Sequence, residues 1–298
     1  MKDRCALRFA AATVLLVLLA SCSRPRYTVP LHLVMGIGPK IVNVSTGTRG
    51  QLQMTVMGRL PHSLNVDVLS RVSPTKLLVS TYPKHEIFLF DTTDHRFRLV
   101  HQGWNAVYFP ALKAFVFLNS PKGEFMAQEL WIAPLAHPDA AKRLDRGPFP
   151  IPMPVVPIAP NAFVYSSWRK TGKQRLWLYN MTFGTYIPLH ISGVYPELWL
   201  PHSHLLLCVN LAKLDRPYSF RSLNGKIVSH LSLGNWYTPA LALPHRHIVL
   251  VGRQGEAMSS PFTGDTLMAY ALKSKHLRVV LQHTFVGLGT IVQSGGKG

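Results

Sequence analysis

Apolar residues along this chain come in short runs broken by turns and prolines, and no window sustains a helical period. After Pro74 comes TKLLVST, after Pro110 ALKAFVFLN, and after Pro160 NAFVYSS. After Pro201 comes HSHLLLCVN and after Pro244 HRHIVLVGR, so the phrase recurs every 36 to 50 residues. Each copy reads as a turn followed by a short apolar strand. Behind each lie two more strands, clearest in IFLFDTTDHRFRLV, LWIAPLAHPDAAKRL, LWLYNMTFGTYIPL, SFRSLNGKIVSHL and LMAYALKSKHLRVV. Their connectors, Thr-Thr-Asp, Phe-Gly-Thr, Asn-Gly and Lys-Ser-Lys, suit reversals between antiparallel strands. Alternation within the strands is mixed, as in Arg175 to Tyr179, which fits strands covered on both faces. The 23 prolines, spread through the chain, exclude long helices. The one helical candidate, HPDAAKRL, is a short turn inside a hairpin.

Four-stranded units repeating at about 40–45 residues are the signature of a β-propeller. A unit of this kind cannot bury both faces alone, and a ring of neighbours does it. The repeat places innermost strands near Leu77, Ala114, Ala162, His204 and His247. The N-terminal HLVMGI, IVNVS and QLQMTVMG supply three more strands, and the C-terminal GLGTIVQ (Gly287–Gln293) a fourth. The sequence therefore predicts an all-β fold over residues 31–293, a β-propeller of six four-stranded blades. The ring is closed by N- and C-terminal strands sharing a blade. The repeated Pro-turn-strand phrase resembles TolB-type propeller repeats, in which a Trp/Ser-Pro-Asp-Gly turn precedes the strand. VSPTKLLVS (Val72–Ser80) matches that pattern best. Across the five copies the Asp-Gly is replaced by Thr-Lys, Ala-Leu-Lys, Asn, His-Ser-His and His-Arg-His. The resemblance implies architecture rather than activity, because propellers host many functions.

The N-terminus carries an address. Lys2 and Arg4 precede an apolar stretch from Phe9 to Ala20, and Leu19-Ala20-Ser21-Cys22 follows. That stretch is short for a membrane span of about 20 residues. Small residues before a Cys resemble the bacterial lipobox, which implies removal of residues 1–21 and diacylation of Cys22. Ser23, rather than Asp, follows the Cys. By resemblance to Gram-negative lipoproteins, this implies the periplasmic face of the outer membrane. Residues 22–30 then form a lipidated tether and residues 294–298 a flexible tail. Cys5 leaves with the signal, so Cys208, inside LLLCV, has no disulfide partner and reads as a buried, inert thiol.

With 32 basic against 13 acidic residues, the formal charge is +19. That field favours acidic proteins, anionic headgroups or polyanions. A compartment of low pH selects the same bias, and both readings stand; a nucleic-acid partner is not expected. GWNAVYFP, GVYPELWLP and GNWYTPALALP put Trp104, Tyr108, Tyr195, Trp199, Trp236 and Tyr237 around one face, at the channel mouth. SWRKTGKQR and KLDRP add Arg169, Lys170, Lys173 and Arg216. Aromatics with arginines compose recognition surfaces, and aromatics also pack between blades.

The leading expectation is thus a membrane-anchored binding or scaffold module for an envelope protein or an anionic envelope component. The alternative is a metal- or cofactor-dependent activity. The two Pro-His-X-His turns read as connecting the outermost strand of one blade to the innermost strand of the next, which sets His202, His204, His245 and His247 near the channel mouth on adjacent blades. In extended backbone, residues i and i+2 point the same way, so each pair could converge on a transition metal. The same slot holds Ala-Leu-Lys and Asn in other copies, so the repeat alone accounts for the phrase. No nucleophile elbow, zincin motif or phosphate-cradling loop occurs, and enzymatic chemistry has little to stand on.

Overall fold

The computed structural model describes residues 32–46, 52–61, 63–120, 129–144, 155–168, 174–210, 212, 218–231, 233, 237–243, 248–253, 263–264, 266–281, 286–287 and 291–293. The chain opens with β1 (His32–Ile37), β2 (Lys40–Thr46) and β3 (Leu52–Arg59). The first full meander is β4 (Asn65–Ser73), β5 (Lys76–Tyr82), β6 (Glu86–Asp91) and β7 (Arg96–Gln102). The second is β8 (Trp104–Phe109), β9 (Ala114–Asn119), β10 (Glu129–Pro134) and β11 (Lys142–Arg143). The third is β12 (Val156–Ala159), β13 (Ala162–Trp168), β14 (Gln174–Asn180) and β15 (Thr185–Ser192). The fourth is β16 (Tyr195–Leu200), β17 (Leu205–Val209), β18 (Tyr218–Arg221) and β19 (Ile227–His230). The fifth holds β20 (Tyr237–Leu243), β21 (Ile248–Arg253), β23 (Thr266–Ala271) and β24 (Leu277–Leu281), with a two-residue pairing of β22 (Thr263–Gly264) and β25 (Val286–Gly287) beside it. Finally β26 (Ile291–Gln293) pairs antiparallel with β1, in the sheet order β26-β1-β2-β3. The described residues thus form six four-stranded antiparallel blades, and the first and last described strands share the sixth.

Packing explains the ring. In β5, Leu77 and Val79 join a core with Val34 and Ile41 of the sixth blade, while Leu78 turns to Phe115 and Phe117 of the second. In β17, Leu206 and Cys208 face the third blade, whereas Leu207 and Val209 face the fifth. Six apolar clusters fill the six blade-to-blade interfaces. One of them packs Leu33 and Met35 against Leu243 and Leu250, across the closure. Successive side chains of a strand point to opposite faces, so a strand apolar at every position serves two interfaces.

This corrects one expectation. The strands beginning near Leu77, Ala114, Ala162, His204 and His247 are second from the axis, not innermost. The innermost strands are β4, β8, β12, β16, β20 and β26; β4 contacts β8 and β26, β16 contacts β12 and β20, and β20 contacts β26. The apolar phrase marks the strand covered on both faces, and the axial strand is less completely buried, as β8 is beside β9 and β16 beside β17.

Each of the first five axial strands carries an irregularity near its start. Register slips occur between Val66 and Val68, Trp104 and Val107, Pro157 and Ala159, Pro196 and Leu198, and Pro239 and Leu241. A bulge leaves backbone groups unpaired, and the neighbouring blade answers. The Ala106 N–H donates to Ser80 Oγ at 2.9 Å and the Tyr108 N–H to Ser70 Oγ at 2.9 Å. Where β7 passes to β8, Gly103 has φ 151°, and a Cβ there would stand 2.5 Å from the Phe117 ring. Only glycine permits that crossing.

Ending the chain after residue 290 removes β26 and uncovers Val34 and Met35. That truncation is expected to melt at a lower temperature than the full chain, whereas removing only 294–298 leaves the melt unchanged. Identical melting of all three chains by circular dichroism would show that closure contributes nothing.

Candidate functional site

The meander fixes two ends of the barrel-like ring. At one, which we term the link face, each blade's last strand passes to the next blade's first. The register places Asn65 opposite Tyr82, Glu86 opposite Gln102, and Tyr195 opposite Val209 at this end. The opposite, turn face carries the reversals between first and second strands. The proposed aromatic surface is therefore divided. Trp104 and Tyr195 begin axial strands on the link face, and Tyr237 begins β20 there. Tyr108 and Trp199 lie near the other ends of β8 and β16, by the turn face. Arg169, Lys170, Lys173, Arg216 and Trp236 lie outside the described residues, as does Cys22.

Trp104, Tyr108, Tyr195 and Trp199 are half-buried, each with one side packed into an inter-blade core. On the link face the Trp104 ring lies 4.3 Å from His85, and His85 lies 5.7 Å from Tyr82, centroid to centroid. Tyr82 is 58% exposed. Neither the Trp104 indole N–H nor His85 Nδ1 has a hydrogen-bond partner. Burial pushes the His85 imidazole below its ordinary pKa, which favours the neutral ring.

The histidine turns sit elsewhere than expected. Residues 201–204 join β16 to β17 within one blade, rather than connecting two blades. His202 and His204 are exposed, and His204 adopts a left-handed φ of 49°. The extended geometry that would align the two imidazoles is absent from this turn. His204 instead lies edge-on to Trp199, with ring centroids 6.2 Å apart. His245 and His247 fall outside the described residues. Among the described residues, no group of three or more His, Cys, Asp or Glu side chains is arranged to hold a metal. Burial raises the Cys208 thiol to about 12, with Glu197 adding to the shift and Arg221 opposing it, so the thiol stays protonated and inert.

Two groups that the apolar pattern hid stand out near the axis. Asp67 and Glu197 are the residues skipped in the register of β4 and β16, the same structural position in the first and fourth blades. In a six-membered ring those blades are opposite one another. The equivalent residues are Ile158 in β12 and Ala240 in β20, with Asn105 and Ala106 at the slip in β8. Glu197 is buried and its Oε2 has no hydrogen-bond partner. Burial pushes its carboxyl well above the usual carboxylate range. Asp67 keeps partial solvent access, and burial raises it to about 6. Among the described residues no ion pair involves either group; Lys76 pairs with Asp91 and Arg143 with Glu129. One signal was available in sequence, a single acid with apolar neighbours in VDVL and in PELWL.

No family model matches the chain, and no curated protein matches its sequence. A solved structure of TolB from Acinetobacter baumannii resembles it with a TM-score of 0.63 at 15% identity, covering 91% of this chain and 68% of that one. The molecule is a TolB-like, six-bladed β-propeller; at that identity the likeness speaks for the fold.

A glutamic acid whose folded pKa is raised binds a proton that the unfolded chain releases above about pH 4.3. Stability of the wild-type chain therefore falls as pH rises from there toward the folded pKa. Glu197→Gln lacks that proton, so urea denaturation should show the gap shifting in the variant's favour by up to about 1.4 kcal/mol per pH unit. Parallel profiles for the two proteins between pH 4 and 8 would show that Glu197 finds a counter-charge when folded.

Proposed function

We propose that this chain is a lipid-anchored, extracytoplasmic propeller that works by binding, its link face docking an envelope protein or an anionic envelope component. The observation that carries the reading is the Tyr82–His85–Trp104 group, an exposed aromatic edge beside the axis with two polar atoms left unpartnered. Exposed aromatics at the centre of a surface supply large contact area at low entropic cost. Tyr195 and the start of β20 at Tyr237, next to Trp236, extend the same face. The strand ends joined by the segments carrying Arg169, Lys170, Lys173 and Arg216 belong to it as well. A charge of +19 draws acidic partners to it. The TolB-like fold supports a scaffold role through its resemblance to periplasmic propellers that serve as assembly platforms.

Anchoring rests on Leu19-Ala20-Ser21-Cys22. Residues 1–21 form the signal peptide in this reading, Cys22 carries the acyl chains, residues 22–30 are the tether, and the protein resides at the periplasmic face of the outer membrane. Among the described residues no helix is long and apolar enough to cross a membrane. Two acyl chains make attachment stable, at about 0.8 kcal/mol per buried methylene. Cys22→Ser is expected to abolish incorporation of labelled palmitate and to move the protein from the membrane to the soluble fraction. Unchanged labelling would remove the anchor from the proposal.

Crosslinking in intact envelopes tests the docking face. Wild-type protein and Trp199→Ala, on the turn face, should recover the same envelope protein, and Tyr82→Ala should recover about tenfold less. Equal recovery by all three, or loss only from Trp199→Ala, transfers the function away from the link face. Recovery that falls steeply with added salt points to an anionic polymer instead of an aromatic-anchored protein contact.

A further inference from the structure

An outermost strand offers a row of unpaired N–H and C=O groups, and proteins blunt such edges with charge, proline or brevity. Five of the six blades here do so. β7 carries Arg96 and Arg98, β15 carries Pro188, and β24 carries Arg278. β11 is two residues long, Lys142–Arg143, and β19 is four. The sixth blade does not. β3 is eight residues, LQMTVMGR, without proline and without charge until Arg59. It is the last strand of its sheet, and among the described residues nothing pairs with its outer edge.

Its side chains are as open as its backbone. Gln53, Met54, Thr55 and Val56 are all exposed, so neither face of this stretch is covered. Met54 is 47% and Val56 53% exposed, at alternate positions on one face. The slip in register against β2 falls at Met57, leaving Leu52–Val56 in regular pairing with Thr46–Val42. At the bulge, His95 of the neighbouring blade donates from Nδ1 to the Met57 carbonyl. That contact covers one end of the strand and leaves the rest free. Arg59, exposed at the end of β3, lies opposite Lys40 of β2. An uncharged, apolar-faced edge thus terminates in a basic corner.

We propose that the β3 edge, Leu52–Val56, is a docking strand for an extended, acidic-ended peptide segment of another protein, added as a fifth strand to the sixth blade. Main-chain hydrogen bonds to β3 would hold the segment. Alternate apolar side chains would cover Met54 and Val56, and an acidic terminus would meet Arg59 and Lys40. Charge selects this occupant over a second copy of the chain, which would bring another +19 to the contact. The inference goes beyond the link-face reading and rests on a different strand, so either can fail alone.

The test uses fluorescein-labelled EEVTVTVEE and its counterpart KKVTVTVKK, followed by anisotropy with the full chain. Neighbouring residues of a strand direct their N–H groups to opposite edges, so proline is placed in turn at Thr55 and at Val56. One of the two removes an outward donor while sparing the pairing with β2. The variant that keeps the wild-type circular dichroism and melt is used, with Met54→Ser/Val56→Ser as companion should neither proline be accommodated. The acidic peptide is expected to bind wild type, with the basic peptide and the edge variant each about tenfold weaker or more. The proposal is overturned if the acidic peptide does not bind or binds the edge variant equally well, which would mean adsorption by charge alone. It is also overturned if sedimentation shows wild type self-associating through an edge that the variant lacks, which assigns the strand to a second copy.

Discussion

The constraint from which the rest follows is that the second strand of each blade is apolar on both faces. Phe115 and Phe117 of β9 pack toward the first blade, while Val116 and Leu118 pack toward the third. Val249 and Val251 of β21 serve the fourth blade, and Leu250 the sixth. A sheet built on such strands has no solvent face to offer, so it is stable only between two others. A row of blades would leave apolar faces at its ends, and closure removes both. The pairing of β1 with β26 is what that requirement looks like where the first and last described strands share a blade.

The same feature decided what could be read in advance. Five repeats of turn and apolar run were legible, and so were the sixth blade and its shared termini, because both-face burial leaves an unmistakable hydrophobic block. The phase was not legible for the same reason. LLLCV is the most apolar phrase of its blade because it is second from the axis, not first. With the phase shifted by one strand, His202 and His204 were assigned to a link between blades, and Trp199 was grouped with Trp104 and Tyr195. The register separates them to opposite ends. The aromatics themselves were half anticipated: Trp104, Tyr108, Tyr195 and Trp199 do pack between blades, each leaving part of its ring in solvent. Asp67 and Glu197 were missed because one acid in an apolar phrase has no periodicity. They share a position only once the register slips of β4 and β16 are aligned.

Those two acids change the meaning of the chain's charge. A carboxyl held well above its usual range, as Glu197 is by burial, loses its negative charge at a higher pH than an exposed glutamate does. Asp67, raised to about 6, contributes less than full charge in mildly acidic surroundings. In mildly acidic surroundings the protein's field is accordingly more positive than its composition states. The acidic-compartment and acidic-partner readings of the +19 are therefore not independent. A drop in pH strengthens the very field that attracts an anionic partner.

Part of the basic surplus also has a structural use. Arg96 and Arg98 in β7, Lys142 and Arg143 in β11, and Arg278 in β24 all stand on outermost strands, where charge discourages pairing with a stray strand. A ring of blades closes its faces but never its rims, so each blade adds one more edge to protect. Bases can do this without weakening the fold, because an outermost strand is half in water and their long side chains reach solvent. The surplus is therefore not all recognition chemistry. β3 is the exception that gives this account its content. Its edge is long, regular and uncharged over Leu52–Val56, in a chain that places a base, a proline or a short strand on each of the other five rims.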